Sequence, residues 1–144
     1  MEHIGQQEGS HEQFCFPEVG SERGEIERVA RIFSKDDPGR FVEDFFRAAE
    51  NSQLVEISDA VWIALENTDS ADIALGRWDL VEYHAAPGKR DWQTLRATME
   101  QGKELDAPIV VKVGGVFHLV SGNTRLMVAK ALGVRPKVLM VTMN

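Results

Sequence analysis

The stretch Ser121-Gly122-Asn123-Thr124-Arg125 carries the residue types best suited to a chemical task. It follows a β-rich run and precedes an apolar helical one. A helix N-terminus presents unpaired backbone N–H groups and a partial positive charge. Gly122 has no Cβ, so a ligand can come close to the backbone there. Thr124 adds a hydroxyl, and Arg125 adds a forked cationic donor that matches a phosphate. Together these groups describe a cradle for a phosphate or another oxyanion, Ser121 and Asn123 completing it. The competing explanation is an ordinary strand–helix junction, with Ser121 or Asn123 as the cap and Arg125 in a surface ion pair.

Phosphoryl transfer at such a cradle needs a base and Mg²⁺ held by one or two carboxylates. Glu56, Glu66 and Asp69 are the candidate carboxylates, Glu66 and Asp69 the ones assigned to catalysis, with Asn67 and Thr68 as polar contacts. Read without a site, Glu66-Asn67-Thr68-Asp69-Ser70 is a solvated turn closed by an Asx hydrogen bond. His118 reads as a hydrogen-bonded sheet histidine more readily than as a general base. His84, Lys89 and Arg90 supply either a second phosphate contact or surface charge. Cys15 sits with Phe14 and Phe16 in a small apolar island that reads as a docking contact; no basic neighbour in sequence lowers its thiol pKa. No HExxH, GxSxG, P-loop or EF-hand string occurs.

The elements that must position these groups follow from periodicity. Ile26, Val29, Ala30 and Phe33 fall on one face of a helix beginning near Ser21. Asp37 and Pro38 start a second helix, with Phe41, Val42, Phe45, Phe46 and Ala49 inward. Leu54–Ile57 is a short strand, and Ser58 or Asp59 caps a brief helix through Val61, Trp62 and Leu65. Residues 71–90 alternate too poorly to assign. Asp91 caps a helix with Trp92, Leu95 and Met99 inward and Gly102 beyond its end. Ile109–Val113 and Val116–Val120 flank Gly114-Gly115, which predicts a tight hairpin pairing Val113 with Val116, Val111 with His118 and Ile109 with Val120. Both faces of that hairpin are apolar, so both are covered. A deeply packed helix runs to Gly133, and Pro136–Val141 is a last strand.

Composition bounds the rest. The 144 residues amount to one domain, 43% hydrophobic and 27% charged. Sixteen basic against 23 acidic side chains leave a net charge of -7, which argues against sequence-independent grip on nucleic acid. The acidity is uneven: residues 107–144 hold five Lys or Arg and no Asp or Glu. One cysteine excludes an internal disulfide and any CxxC metal site. No apolar run is long enough to span a bilayer, and the polar start has no signal-peptide core, so the expected location is cytoplasmic. Residues 1–20 read as a flexible tail or weakly docked arm, and 21–50 as a helical extension.

The ordered string Ala107-Pro108-Ile109-Val110-Val111, Phe117 to Leu126, Ala129 to Val134 and Pro136-Lys137-Val138 resembles the core of the ParB/sulfiredoxin superfamily. It spans 32 residues, 107–138, near a quarter of the chain. The resemblance implies an α+β fold, a small mixed sheet with packed helices, for residues 51–144. In ParB-type CTPases the Gly-x-x-Arg box contacts nucleotide phosphates, which carries over to Gly122 and Arg125. Sulfiredoxins place a reactive cysteine after that glycine; Asn123 stands here, which excludes sulfinic-acid reduction. The free-serine kinases of the superfamily read Gly-His-Thr-Arg, to which Gly122-Asn123-Thr124-Arg125 is similar. The resemblance thus implies a nucleoside di- or triphosphate with Mg²⁺ as ligand, and phosphotransfer or nucleotide hydrolysis as activity. It also implies a stand-alone ParB-like protein of the kind phages and mobile elements encode. The family's long DNA-binding helical region does not follow the core, so DNA is not the favoured partner, and no dense acidic cluster supports a nuclease. The alternative is a non-enzymatic module that keeps the fold and binds a protein or DNA.

Overall fold

The computed structural model describes residues 13–85 and 91–144. Residues 1–12, most of the expected tail, and Lys89 and Arg90 lie outside the described residues. The architecture is α+β: among the described residues there are six α-helices and a four-stranded mixed sheet, with a second, two-stranded pairing.

The tail reading ends early. Phe14–Cys15 form strand β1, paired in parallel with Leu105–Asp106, β3. Phe14 is buried, while Phe16 is exposed. The apolar island docks, and the pairing reaches across 91 positions of sequence between Phe14 and Leu105.

Helix α1 spans Arg23–Phe33. Ser21 does not cap it: a 3-10 turn, Val19–Glu22, comes first, and the Ser21 hydroxyl donates to the Glu18 carbonyl at 2.7 Å. Helix α2, Pro38–Glu50, starts as the sequence predicts, with the Asp37 carboxylate accepting the Arg40 N–H at 3.2 Å. β2 is Leu54–Glu56, and α3, Asp59–Ala64, is capped by Ser58 accepting from the Val61 N–H. The ambiguous stretch contains helix α4, Trp78–Ala85. Asp91 caps α5, Trp92–Glu100, by accepting the N–H and hydroxyl of Thr94 at 3.0 and 2.6 Å.

Strands β4, Ile109–Val113, and β5, Val116–Ser121, form the expected hairpin. Gly114 has φ +60° and Gly115 is not in the positive region, the pattern of a II′ turn rather than one with two positive residues. Val113–Val116 and Val111–His118 pair as predicted. Ile109 faces Ser121, not Val120, because a bulge between Ile109 and Val110 shifts the register by one. Helix α6, Asn123–Leu132, stops at Gly133, whose φ of +80° suits glycine. β6, Lys137–Met143, returns parallel to β4 and carries β2 on its other edge. The sheet order is β2-β6-β4-β5.

The sheet is covered on both faces. Ile109, Val111, Val120, Leu139 and Val141 pack against Ile26, Val29, Phe41, Val42 and Phe45 of α1 and α2. Val110, Leu119 and Val138 pack against Trp62, Val81, Met99 and the buried side of α6. Fully burying a side chain such as Phe45 is worth about 1.5–3 kcal/mol.

Candidate functional site

An open cleft of about 740 Å³ lies at the start of α6. Its floor is Ser121, Gly122 and the first turn Asn123-Thr124-Arg125. The walls are Glu22, Glu25 and Arg28 at the start of α1, Asn67-Thr68-Asp69 after α3, and Asp91 and Leu95 at the start of α5.

Gly122 is the N-cap of α6, with φ +110° and no side-chain cap. The proposed caps Ser121 and Asn123 do not fill that role. Glycine is needed here for two reasons. The backbone lies in the left-handed region, and an added Cβ would stand 2.6 Å from Pro108 Cβ. Pro108 is thus the group that approaches this backbone most closely, where the sequence pattern left room for a ligand.

Asn123 joins the α6 start to the loop after α3. Its Oδ1 accepts the Thr68 O–H at 2.7 Å and the Asp69 N–H at 2.9 Å, and its Nδ2 donates to Asp69 Oδ2 at 3.0 Å. A backbone donor and a carboxylate fix the amide's orientation. Because the Thr68 proton goes to Asn123, Ser70 Oγ must donate to Thr68 Oγ1 at 2.8 Å, and it accepts Trp62 Nε1–H at 2.8 Å. Ser70 is fully buried, and Lys130 Nζ donates to its carbonyl. Residues 66–70 are therefore not a solvated turn: their hydrogen bonds go to α6, β5 and Trp62. Asn67 takes φ +67°, a conformation asparagine tolerates, and its amide donates to the Leu119 carbonyl at 2.9 Å.

The two predicted catalytic carboxylates separate. Asp69 lines the cleft, with Oδ1 at 3.6 Å from His84 Nδ1, beyond hydrogen-bond range. Glu66 does not line the cleft. It extends the edge of β5 through a parallel bridge to His118, and its side chain is 61% exposed. His118 is 6% exposed; neither ring nitrogen has a hydrogen bond, Glu66 Oε1 stands 3.7 Å from Nδ1, and Phe33 meets the ring edge-on. The expected hydrogen-bonded sheet histidine is instead buried under α1 without such a bond.

Three polar side chains shape the cleft floor. Thr124 is 6% exposed and lines the cleft. Ser121 Oγ is buried and unpartnered. Arg125 is half-buried; its Nη1 donates to the Asp106 carbonyl at 2.6 Å and more weakly to that of Ala107, and no carboxylate of the described residues lies within 4 Å. Burial pushes the Arg125 guanidinium down from its ordinary value, opposed by Glu22 and Asp106, and it stays cationic. An uncapped helix start, the unpartnered Ser121 hydroxyl, the Thr124 hydroxyl and a guanidinium held by carbonyls can bind an oxyanion. Among the described residues no group of three or more His, Cys, Asp or Glu is arranged to hold a metal ion. A Mg²⁺ here fits only as one that arrives on phosphate oxygens and takes a single carboxylate such as Asp69.

The sequence reading missed Glu22, Glu25, Arg28, Asp91 and Leu95. The i, i+3 spacing of Glu22, Glu25 and Arg28 places them along one helical face, but nothing in the string ties that face to residues a hundred positions later. Among the described residues no helix is long and apolar enough to cross a membrane. Compared with known proteins, the chain matches no family model, no curated protein and no solved structure.

Proposed function

We propose that this protein binds the phosphates of a small molecule, a nucleoside di- or triphosphate, at the N-terminus of α6. The observation that carries this reading is the convergence of the buried, unpartnered Ser121 hydroxyl, Thr124 and Arg125 around an uncapped helix start. The resemblance of the string from Ala107 to Val138 to the ParB/sulfiredoxin core supports it. Phosphotransfer or hydrolysis at this site falls to Asp69, the one predicted catalytic carboxylate that lines the cleft. Thermal melting with a panel of Mg²⁺-nucleotides tests the proposal. A ligand bound only to the folded state at 100 times its Kd adds about 2.7 kcal/mol of stability, a readily measured rise in Tm. Arg125→Lys keeps the charge, loses the fork and reduces that rise. A flat response to the whole panel overturns the proposal.

A second reading, a protein partner, draws on a different face. Ile63 and Leu75 are 77% and 73% exposed, and Leu75 lines a groove of about 350 Å³ with Trp62, Ala129 and Val134. Exposed apolar groups beside a groove favour association. In a pull-down, Leu75→Asp then loses a partner that Arg125→Lys retains.

A further inference from the structure

We infer that the apolar groove between α3 and the end of α6 receives a second copy of this chain across a two-fold axis, forming a weak homodimer. This inference rests on the reading of that face as a protein-binding surface and names its occupant.

The groove, about 350 Å³, runs between Trp62 on α3 and Ala129, Lys130 and Val134 at the end of α6. Two large apolar side chains stand out beside it, Ile63 and Leu75. Ile63 follows Asp59 by one helical turn, so it shares the α3 face that lines the groove. Leu75 is held by its neighbours in the chain. Ile73 before it is 2% exposed, and its N–H donates to the Ser70 carbonyl at 3.1 Å. The Gly76 N–H after it donates to the Ala131 carbonyl at 2.8 Å. A leucine anchored on both sides and still 73% exposed loses little conformational freedom when something covers it.

A two-fold interface sets one patch against itself, so that patch must hold both a projection and a recess. Here Ile63 and Leu75 project, and the groove beside them is the recess. A partner with a different surface calls for only one of the two. The charges are self-complementary as well. Lys130 Nζ lies 5.0 Å from the centre of the Trp62 ring and donates to the Ser70 carbonyl, with no carboxylate of the described residues within 4 Å. Asp59, also lining the groove, gives Oδ1 to Arg135 at 2.6 Å and keeps its side chain 78% exposed. Across the two-fold axis Asp59 of each copy meets Lys130 of the other. The net charge of -7 on each copy opposes association at long range, and the groove is small, so the contact is weak.

Sedimentation velocity on the full chain from about 1 to 500 µM tests this. The expected result is a reversible monomer–dimer equilibrium with a Kd on the order of 10–100 µM. Leu75→Asp weakens it by more than about tenfold, with circular dichroism confirming the fold. Charge exchange supplies the second arm. Asp59→Lys sets like charges against Lys130 of the other copy, and Lys130→Glu sets them against Asp59, so each variant alone is monomeric. An equimolar mixture of the two restores both opposite pairs and recovers the dimer. Lys130→Gln, which only removes the charge, weakens the dimer too and stands in for Lys130→Glu if that chain does not fold. A wild-type chain that stays monomeric over the whole range overturns the second-copy proposal. The protein-binding reading then stands if a pull-down finds a different protein that Leu75→Asp loses, and falls with the proposal if it finds none. A dimer indifferent to Leu75→Asp lies elsewhere on the chain and overturns the proposal, as does a mixture that stays monomeric.

Discussion

The two faces of the central sheet are covered in different chemical styles. Under α1 and α2 the layer is built from hydrocarbon and aromatic rings, and its one buried titratable group, His118, has no hydrogen bond. Under α3 to α6 the apolar layer is interrupted by a directed set of hydrogen bonds, from the Trp62 indole through Ser70 and Thr68 to Asn123 and on to Asp69. The first face can be repacked so long as volume is kept. The second cannot lose one polar member without leaving another buried and unpaired. The difference teaches where function can reside: the polar face opens onto the cleft, and α1 of the apolar face lends only its first turns to the wall.

The comparison can be broken from the apolar side first. Phe45→Ala is expected to cost about 3–5 kcal/mol by urea denaturation, while surviving folded protein keeps its phosphate affinity. A matching loss of affinity would show that the two faces are not independent. Gly122→Ala comes next: the positive φ alone costs about 1–3 kcal/mol, and the contact with Pro108 adds to it. The double variant with Pro108→Gly, read against Pro108→Gly alone, removes the Cβ and Cγ contacts but keeps the backbone Cα at 2.9 Å, so it recovers only part of the loss. Asn123→Ala leaves the Thr68 hydroxyl and Asp69 N–H without their acceptor and is expected to cost about 1–3 kcal/mol. Faster hydrogen exchange at Asp69, with protection on α2 unchanged, separates a polar-face effect from general loosening.

The smallest effect is electrostatic and lies on the exposed rim. The hydrogen bond and charge of Arg77 hold the Asp79 carboxyl down at about 2, and Thr94 holds the Asp91 carboxyl below its ordinary value. A depressed folded-state pKa gives stability that is fully present above the unfolded carboxylate value and lost as pH falls through the folded one. Asp79 therefore contributes at pH 5, and its contribution declines between about pH 4 and pH 2. Asp79→Asn flattens that part of the acid-melting profile slightly, and ¹³C titration of the carboxyl reads the pKa directly.

Much of the scaffold was legible because its causes are local. Asp37-Pro38, Ser58 and Asp91 announce helix starts, Gly114-Gly115 sets the hairpin, and Gly133 ends α6. The misreadings share a different origin. The 66–70 loop looks solvated because the side chain that orders it, Asn123, lies 54–55 positions away. Helix α4 was hidden because Trp78, Leu80, Val81 and Tyr83 give no single apolar stripe, and Tyr83 is exposed. The charge of the cleft reversed for a similar reason. The stretch after Asp106 is basic in sequence, yet α1, the 66–70 loop and α5 bring four carboxylates to it. The cradle was readable as a string; its walls required the fold.

The cleft is assembled from four stretches, around residues 22–28, 67–69, 91–95 and 119–125. Chain closure between the first and last of these carries an entropic cost before any contact can reward it. The cleft is complete only when all four stretches are in place. A half-folded chain with its hairpin and α6 in place still lacks the walls. Occupancy of the cleft then reports completed folding of the whole chain, and a ligand there slows global opening rather than protecting one segment.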